Sequence, residues 1–356
     1  MHIKKYLICG LEINKRELII TLFYLCLKIF KLYVKMFVIV IIVEVYMAIS
    51  SVSHLVTKQV FVMLLIIVTG YILTKLKIIT QKGTSEMSGV LVSIVTPCIL
   101  IRTYHIPIDY SQVYNMLIGS GISILIHLLY FVVAYFYFIP VKDKQKSIVS
   151  RSSALLSNCG FMGIPLLQAC LGDTGTFYGS AYLAVFNVVT WSVVKHQFDN
   201  ENSKFSFKGL INPGIIGVLL GVLLYVTQIK LPSVVYTSVS FIADLNTPLA
   251  MLILGSFLAR SGIVRSLKRP DVYSVVFFRL ILAPVMLIVI MKLFKVDSML
   301  AMAMVICASC PAAAMVPIFA QRYNSDYNFA TNIAVSSTII SMITIPLICY
   351  ACGFIL

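Results

Sequence analysis

Along the chain, apolar runs of roughly 20 residues alternate with short polar connectors, which is the spacing of helices long enough to cross a bilayer. Ten such runs follow residue 54, at about 55–75, 86–104, 113–139, 149–172, 174–194, 211–229, 235–258, 271–294, 298–321 and 328–354. The connectors leave no room for a soluble domain, so the pattern predicts an all-α integral membrane protein with ten transmembrane helices. The fourth run contains a contradiction. Its segment "SNCGFMGIPLLQ", residues 157–168, sets Gly160, Gly163 and Pro165 inside apolar sequence. Proline removes an amide donor and glycine weakens a helix, and hydrocarbon offers no water to the freed backbone groups. The ninth run repeats the contradiction with Pro311 and Pro317 around "AAAM".

These irregularities recur at a fixed interval. Gly70 answers Gly221 after 151 residues, Pro97 answers Pro248 after 151, each within a Thr-Pro pair, and Pro165 answers Pro317 after 152. The repeating unit holds five runs, an odd number, so its second copy enters the membrane from the opposite side. The predicted architecture is therefore two inverted five-helix repeats, 54–209 and 210–356, with spans 4 and 9 broken and crossing near the midplane.

Broken spans survive where protein or a water-filled cavity surrounds them. Each exposes a half-helix N-terminus worth roughly half a positive charge, and in a low dielectric such termini attract an anion. The candidate substrate-binding residues are Asn158, Cys159, Gly160, Gly163 and Pro165 from the fourth run and Pro311, Ala312, Ala313 and Pro317 from the ninth. Small residues there let a ligand approach the main chain, and Asn158 adds a neutral donor and acceptor. The plainer alternative is a pair of kinks relieved by close helix packing.

Composition agrees with a membrane protein: 60% of the 356 residues are hydrophobic and 12% charged, with a mean hydropathy of +0.98. A net charge of +15 suggests nucleic acid at first sight, but the distribution points to orientation instead. Connectors after odd-numbered spans carry fifteen Lys and Arg, those after even-numbered spans four. The odd loops are thus expected in the cytoplasm of a multi-pass cell-membrane protein. Residues 1–53 form an N-terminal extension with three open readings: an extra helix behind a basic N-terminus, a signal-like segment, or sequence upstream of a start at Met47.

Nine cysteines include Cys307/Cys310 and Cys349/Cys352, which lie in apolar runs and are expected to pack as small hydrophobes. Ionisable groups within spans are candidate functional groups by default. Asp244 and Asn246, just before Thr247-Pro248, either hold a proton or cation near the crossing or sit at the interface. Arg279, ~12 Å into its span at the helical rise, either snorkels to the inner interface or supplies a counter-charge to the substrate. His127 is expected to be a hydrogen-bonded packing residue.

The segments "SNCGFMGIPLL", "NPGIIGVLLG", "NTPLAMLILGSFLA" and "PAAAMVPIFAQRYNSD" resemble the auxin efflux carrier family across residues 55–356. The resemblance implies a scaffold of spans 1, 2, 6 and 7, a mobile domain of spans 3–5 and 8–10, spans 4 and 9 crossing at Pro165 and Pro317, Asn158 beside the site, and a homodimer through the scaffold. Cys310 stands where symmetry with Asn158 asks for a second polar residue. The connector "KHQFDNENSKFSFKG" is too short for the regulatory loop of many plant members.

The expected function is a secondary active or facilitative carrier of a small organic anion, such as malate, malonate or an auxin-like acid, with no cofactor, metal or nucleic acid. A sodium-coupled symporter of the bile-acid type is the alternative. An enzyme is not expected, since His2, His54, His105, His127 and His196 are scattered and no nucleotide-binding signature occurs.

Overall fold

The computed structural model describes residues 51–199, 213–261 and 266–355. Residues 1–50, with the readings attached to them, lie outside the described residues, as do Arg265 and most of the fifth-to-sixth connector. The described chain is all helical: α1 (Ser51–Lys75), α2 (Gln81–Tyr104), α3 (Tyr110–Tyr137), α4 (Lys144–Leu155), α5 (Ile164–Val189), α6 (Pro213–Thr227), α7 (Ser233–Asp244), α8 (Asn246–Ser261), α9 (Pro270–Leu293), α10 (Ser298–Ser309), α11 (Met315–Arg322) and α12 (Tyr327–Ile355). Among the described residues, 7 helical segments are long and apolar enough to cross a membrane, α7 and α8 together forming one of them (Ser233–Ser261), and α6 and α10 are shorter apolar helices.

The apolar runs and the helices differ in one informative way. The fourth run is divided between α4 and α5, and the ninth between α10 and α11, because each is interrupted by extended backbone. The fourth and fifth runs share α5, in which Gly172 turns the chain at φ 62° and ψ −153°. That is a conformation only glycine adopts readily, so a single residue replaces a connector.

Several helices start where a short side chain satisfies their free amides. Thr80 accepts from Gly83, Asp109 from Ser111, Asp143 from Lys146, Asp297 from Met299 and Leu300, and Asp326 from Phe329. These caps are polar residues at the ends of apolar runs, where water is at hand.

Small residues set the packing. α1 lies along α8, and α6 lies along α2. A Cβ on Gly255 would sit 2.1 Å from the carbonyl oxygen of Ile67, and one on Gly70 2.5 Å from that of Leu252. The two backbones touch, which is how membrane helices gain dispersion contact without a hydrophobic driving force. On the other side, α3 packs on α5 and α10, and α9 on α10 and α12. The interior holds many small polar residues, among them Ser150, Ser152, Ser180, Ser309, Ser336 and Ser337, whereas Leu117, Leu128, Leu219 and Ile343 face outward at 60–68% exposure. Apolar side chains thus face both the interior and the outside, while small hydroxyls are kept inside, away from lipid.

Candidate functional site

The two interruptions meet. α4 ends at Leu155, Leu156 is extended, and Asn158 leads into a wide helical turn, Cys159–Gly163, that feeds α5. α10 ends at Ser309, Cys310 is extended, and α11 begins after Ala314. Ser157 and Ala312 form an antiparallel bridge, closed by Asn158 N–H donating to Pro311 O at 2.7 Å and Ala313 N–H donating to Leu156 O at 3.0 Å. Ala312 N–H donates to Ser337 Oγ at 3.1 Å. Each break thus satisfies the other's backbone, which is what allows both to persist away from water.

This geometry revises the expected crossing point. The segments cross at Ser157 and Ala312, upstream of the prolines. Pro317 lies in the first turn of α11, where a missing amide donor costs little, while Pro165 lies six residues beyond Cys159, within the helical run that the wide turn Cys159–Gly163 begins. Both prolines lie inside the second half-helices rather than marking the breaks. The bond pair also matches Asn158 with Ala313, not with Cys310, so the residue opposite Asn158 is a small apolar one.

Neither second half-helix has a side-chain cap at its N-terminus, unlike the helices capped by Asp or Thr. Asn158 is 4% exposed, and among the described residues its amide nitrogen has no hydrogen-bond partner. It borders a cavity of about 50 Å³ lined also by Gly160, Phe161, Ala313, Ala314 and Met315 from the breaks, Val92 and Thr96 of α2, Leu183, Phe186 and Asn187 of α5, Thr190 and Trp191 beyond it, and Gly214 of α6. Thr96, Asn187 and Thr190 each donate back to their own helix, to Leu91, Leu183 and Phe186. Their oxygens therefore remain available as acceptors. Trp191 packs edge-on against Phe319 of α11 at 5.6 Å and walls one end.

A second cavity of about 50 Å³ lies across the crossing, bordered by Ala312, Ala314, Pro317 and Gln321, by Leu254 and Phe257 of α8, and by Thr331, Ala334 and Thr338 of α12.

The expected site residues separate accordingly. Asn158, Gly160 and Ala313 line the first cavity, Ala312 and Pro317 the second. Cys159, Gly163, Pro165 and Pro311 build the crossing without lining either. Asn246 is buried but borders neither. Asp244 does not approach the crossing: its side chain is 64% exposed and ion-paired with Arg102 at 2.6 Å. Arg279 does not snorkel. It is completely buried and donates to Ala154 O at 2.9 Å, to Leu155 O at 3.3 Å and to Ala308 O, so it neither reaches the interface nor lines a cavity. His127 is buried, 2.7 Å from Ser123 O through Nδ1 and tilted against the Tyr182 ring with centroids 4.7 Å apart, as a packing residue. Thr96, Asn187 and Thr190 also line the first cavity and are not among the residues expected from the sequence. A neutral amide at Asn187, amid "YLAVFNVVTW", was the available signal.

An all-helical chain with apolar spans, small polar groups turned inward and two broken helices crossing beside a cavity is a multi-pass membrane protein of transporter type. The family profile described as "Membrane transport protein" matches residues 55–208 and 200–349, and the chain belongs to this auxin efflux carrier-type family. It is similar to an uncharacterized transporter of Methanothermobacter thermautotrophicus, with 22% identity over 82% of this chain and 96% of that one. It is likewise similar to an uncharacterized transporter of Methanocaldococcus jannaschii, with 21% identity over 81% and 96%.

Proposed function

We propose that the protein is a secondary carrier of a small organic anion, a carboxylate such as malate, malonate or an auxin-like acid, bound in the cavity beside the crossed breaks. The observation that carries this reading is the combination at one place of two uncapped half-helix N-termini and a buried, unpartnered Asn158 amide, all of them donors. A carboxylate offers acceptors only, and it gains from partial positive charge in a low dielectric.

The carrier has ten spans in two inverted repeats, with residues 54–209 and 210–356 as the halves and the odd connectors in the cytoplasm. What supports this reading is internal correspondence. α1 on α8 is answered by α6 on α2. The two bonds of the bridge exchange under the same relation, and Leu183 and Asn187 of the first cavity stand 151 residues before Ala334 and Thr338 of the second. The two profile matches also meet at residues 200–208. Two cavities flanking one crossing suit alternating access, in which the domain carrying the breaks moves against the glycine-packed helices and opens each side in turn.

The test is counterflow in proteoliposomes with labelled malate, malonate and an indole carboxylate. The parent protein exchanges at least one of them, in choline as in sodium medium. Asn158→Ala lowers exchange roughly tenfold while keeping its melting temperature, as loss of one ligand hydrogen bond predicts. Exchange of none of these acids by the parent, or full activity in Asn158→Ala, overturns the assignment.

A further inference from the structure

The crossing brings together four helix ends, not two. Behind the uncapped N-termini lie the C-termini of α4 and α10, whose last carbonyls have no helical partner and carry the negative pole of each helix. One side chain serves both. Arg279 Nη1 donates to Ala154 O at 2.9 Å and to Leu155 O at 3.3 Å, and Nη2 donates to Ala308 O. The guanidinium lies over the Tyr130 ring, 5.3 Å from its centroid, and Tyr130 is itself held by Ala283 O at 2.7 Å. Arg279 is 0% exposed, and among the described residues it has no carboxylate partner. Arg279 itself lies in a wide turn of its helix, Phe278–Leu282, a local geometry frequent at functional sites. The corresponding position in the other half, 152 residues earlier, is His127, whose one hydrogen bond among the described residues is to Ser123 of its own helix.

Carbonyls at the ends of interrupted helices are the groups that coordinate a coupling sodium ion in transporters that use one. Here a covalently attached cation occupies them. We infer that Arg279 is a built-in counter-ion, a positioning residue that neutralises the C-terminal ends of α4 and α10. It stands where a free cation would otherwise bind, and it leaves the N-terminal ends as the unbalanced charge at the crossing. The site is thereby made anion-selective and independent of sodium. This inference rests on the proposed anion site for its consequence, though not for its geometry.

The experiment is a melting series on purified protein in choline, sodium and guanidinium salts at non-denaturing concentration, for the parent, Arg279→Ala, Arg279→Met and Arg279→Lys, with no substrate present. The parent melts at one temperature in all three salts. Arg279→Ala melts roughly 5 °C or more lower in choline, as expected when buried acceptors lose their cation, and regains at least half of that loss in guanidinium or sodium. Arg279→Lys melts above Arg279→Met, which decides the matter even where the alanine variant fails to fold. An Arg279→Ala protein equally depressed in every salt, or a lysine variant no better than methionine, overturns the inference. In proteoliposomes, anion exchange by Arg279→Ala rises with sodium while exchange by the parent does not, a response that loss of packing alone does not produce. A cation-specific melting response without anion exchange by the parent defeats the transport reading and leaves the counter-ion in place.

Discussion

The two breaks do the same work for the backbone and different work for a ligand. The first, Leu156 to Gly163, carries Asn158, an unpartnered buried amide, and a wide turn bearing two glycines. The second, Cys310 to Ala314, has no polar side chain other than a thiol that donates to Ile306 O of its own helix. Its contribution is main chain: a carbonyl from Pro311, an amide from Ala313, and Ala312 N–H held by Ser337 of α12. Equal backbone bonds keep the crossing closed, while the polar side chains differ in origin: Asn158 of the first break itself faces one cavity, whereas the polar groups of the other, Gln321, Thr331 and Thr338, come from α11 and α12 outside the second break. Symmetry of fold therefore need not bring symmetry of recognition: of the two breaks, only the first contributes a polar side chain to its adjoining cavity.

The largest effect falls on the shared backbone. Ala313→Pro removes the donor to Leu156 O in surroundings that offer no replacement, and is expected to cost about 3 kcal/mol or more, read as lost thermal stability in detergent. Pro311→Ala, two residues away, keeps the carbonyl that Asn158 uses and should cost within about 1 kcal/mol. If the two variants melt alike, the bridge does not hold the crossing.

Next is the support that only the second break requires. Ser337→Ala leaves the amide of Ala312 unsatisfied in a buried site, at roughly 1–3 kcal/mol, and should lower the melting temperature without changing the choice among anions. A Ser337→Ala protein with parental stability means that Ala312 finds another partner.

Gly160 separates stability from recognition on the first break. A Cβ there meets Leu183 Cδ1 at 3.7 Å, an ordinary contact, so Gly160→Ala should change stability by less than about 1 kcal/mol. Yet the added methyl group enters a cavity of about 50 Å³ and is expected to weaken exchange of the larger indole carboxylate more than that of malonate. Uniform loss across substrates points to packing instead.

How much of this the chain discloses beforehand depends on the kind of signal. Where the helices break is legible, because Gly160, Gly163, Pro311 and the proline pair have few other uses in hydrocarbon. Where the breaks cross is not, because a proline a little way into a half-helix reads the same as one at the interruption itself, and the crossing lies eight residues before Pro165 and five before Pro317. Arg279 shows the limit most clearly. The helical rise gives its depth, but not the face it points to, and the carbonyls it serves come from α4 and α10, over a hundred residues and some thirty residues away along the chain. Asn187 lines the cavity beside Asn158, but no glycine or proline stands near it in the sequence as they do near Asn158, so nothing marks it until the fold brings the two together.

The smallest effect tests whether charge outside the crossing matters at all. Asp244 was a candidate for coupling because an acid within an apolar run suggests proton traffic. Its partner is Arg102 at 2.6 Å, with the acid 64% exposed, on the α2–α7 face rather than at the breaks. An open ion pair of this kind is worth about 0–1 kcal/mol, and asparagine retains an acceptor for the guanidinium. Asp244→Asn should therefore melt close to the parent and exchange labelled anion at the parental rate, with and without an imposed proton gradient. An exchange rate that loses its response to that gradient in Asp244→Asn, with the melting temperature unchanged, relocates coupling to the α2–α7 face and ends the claim that the crossing alone holds the functional charge.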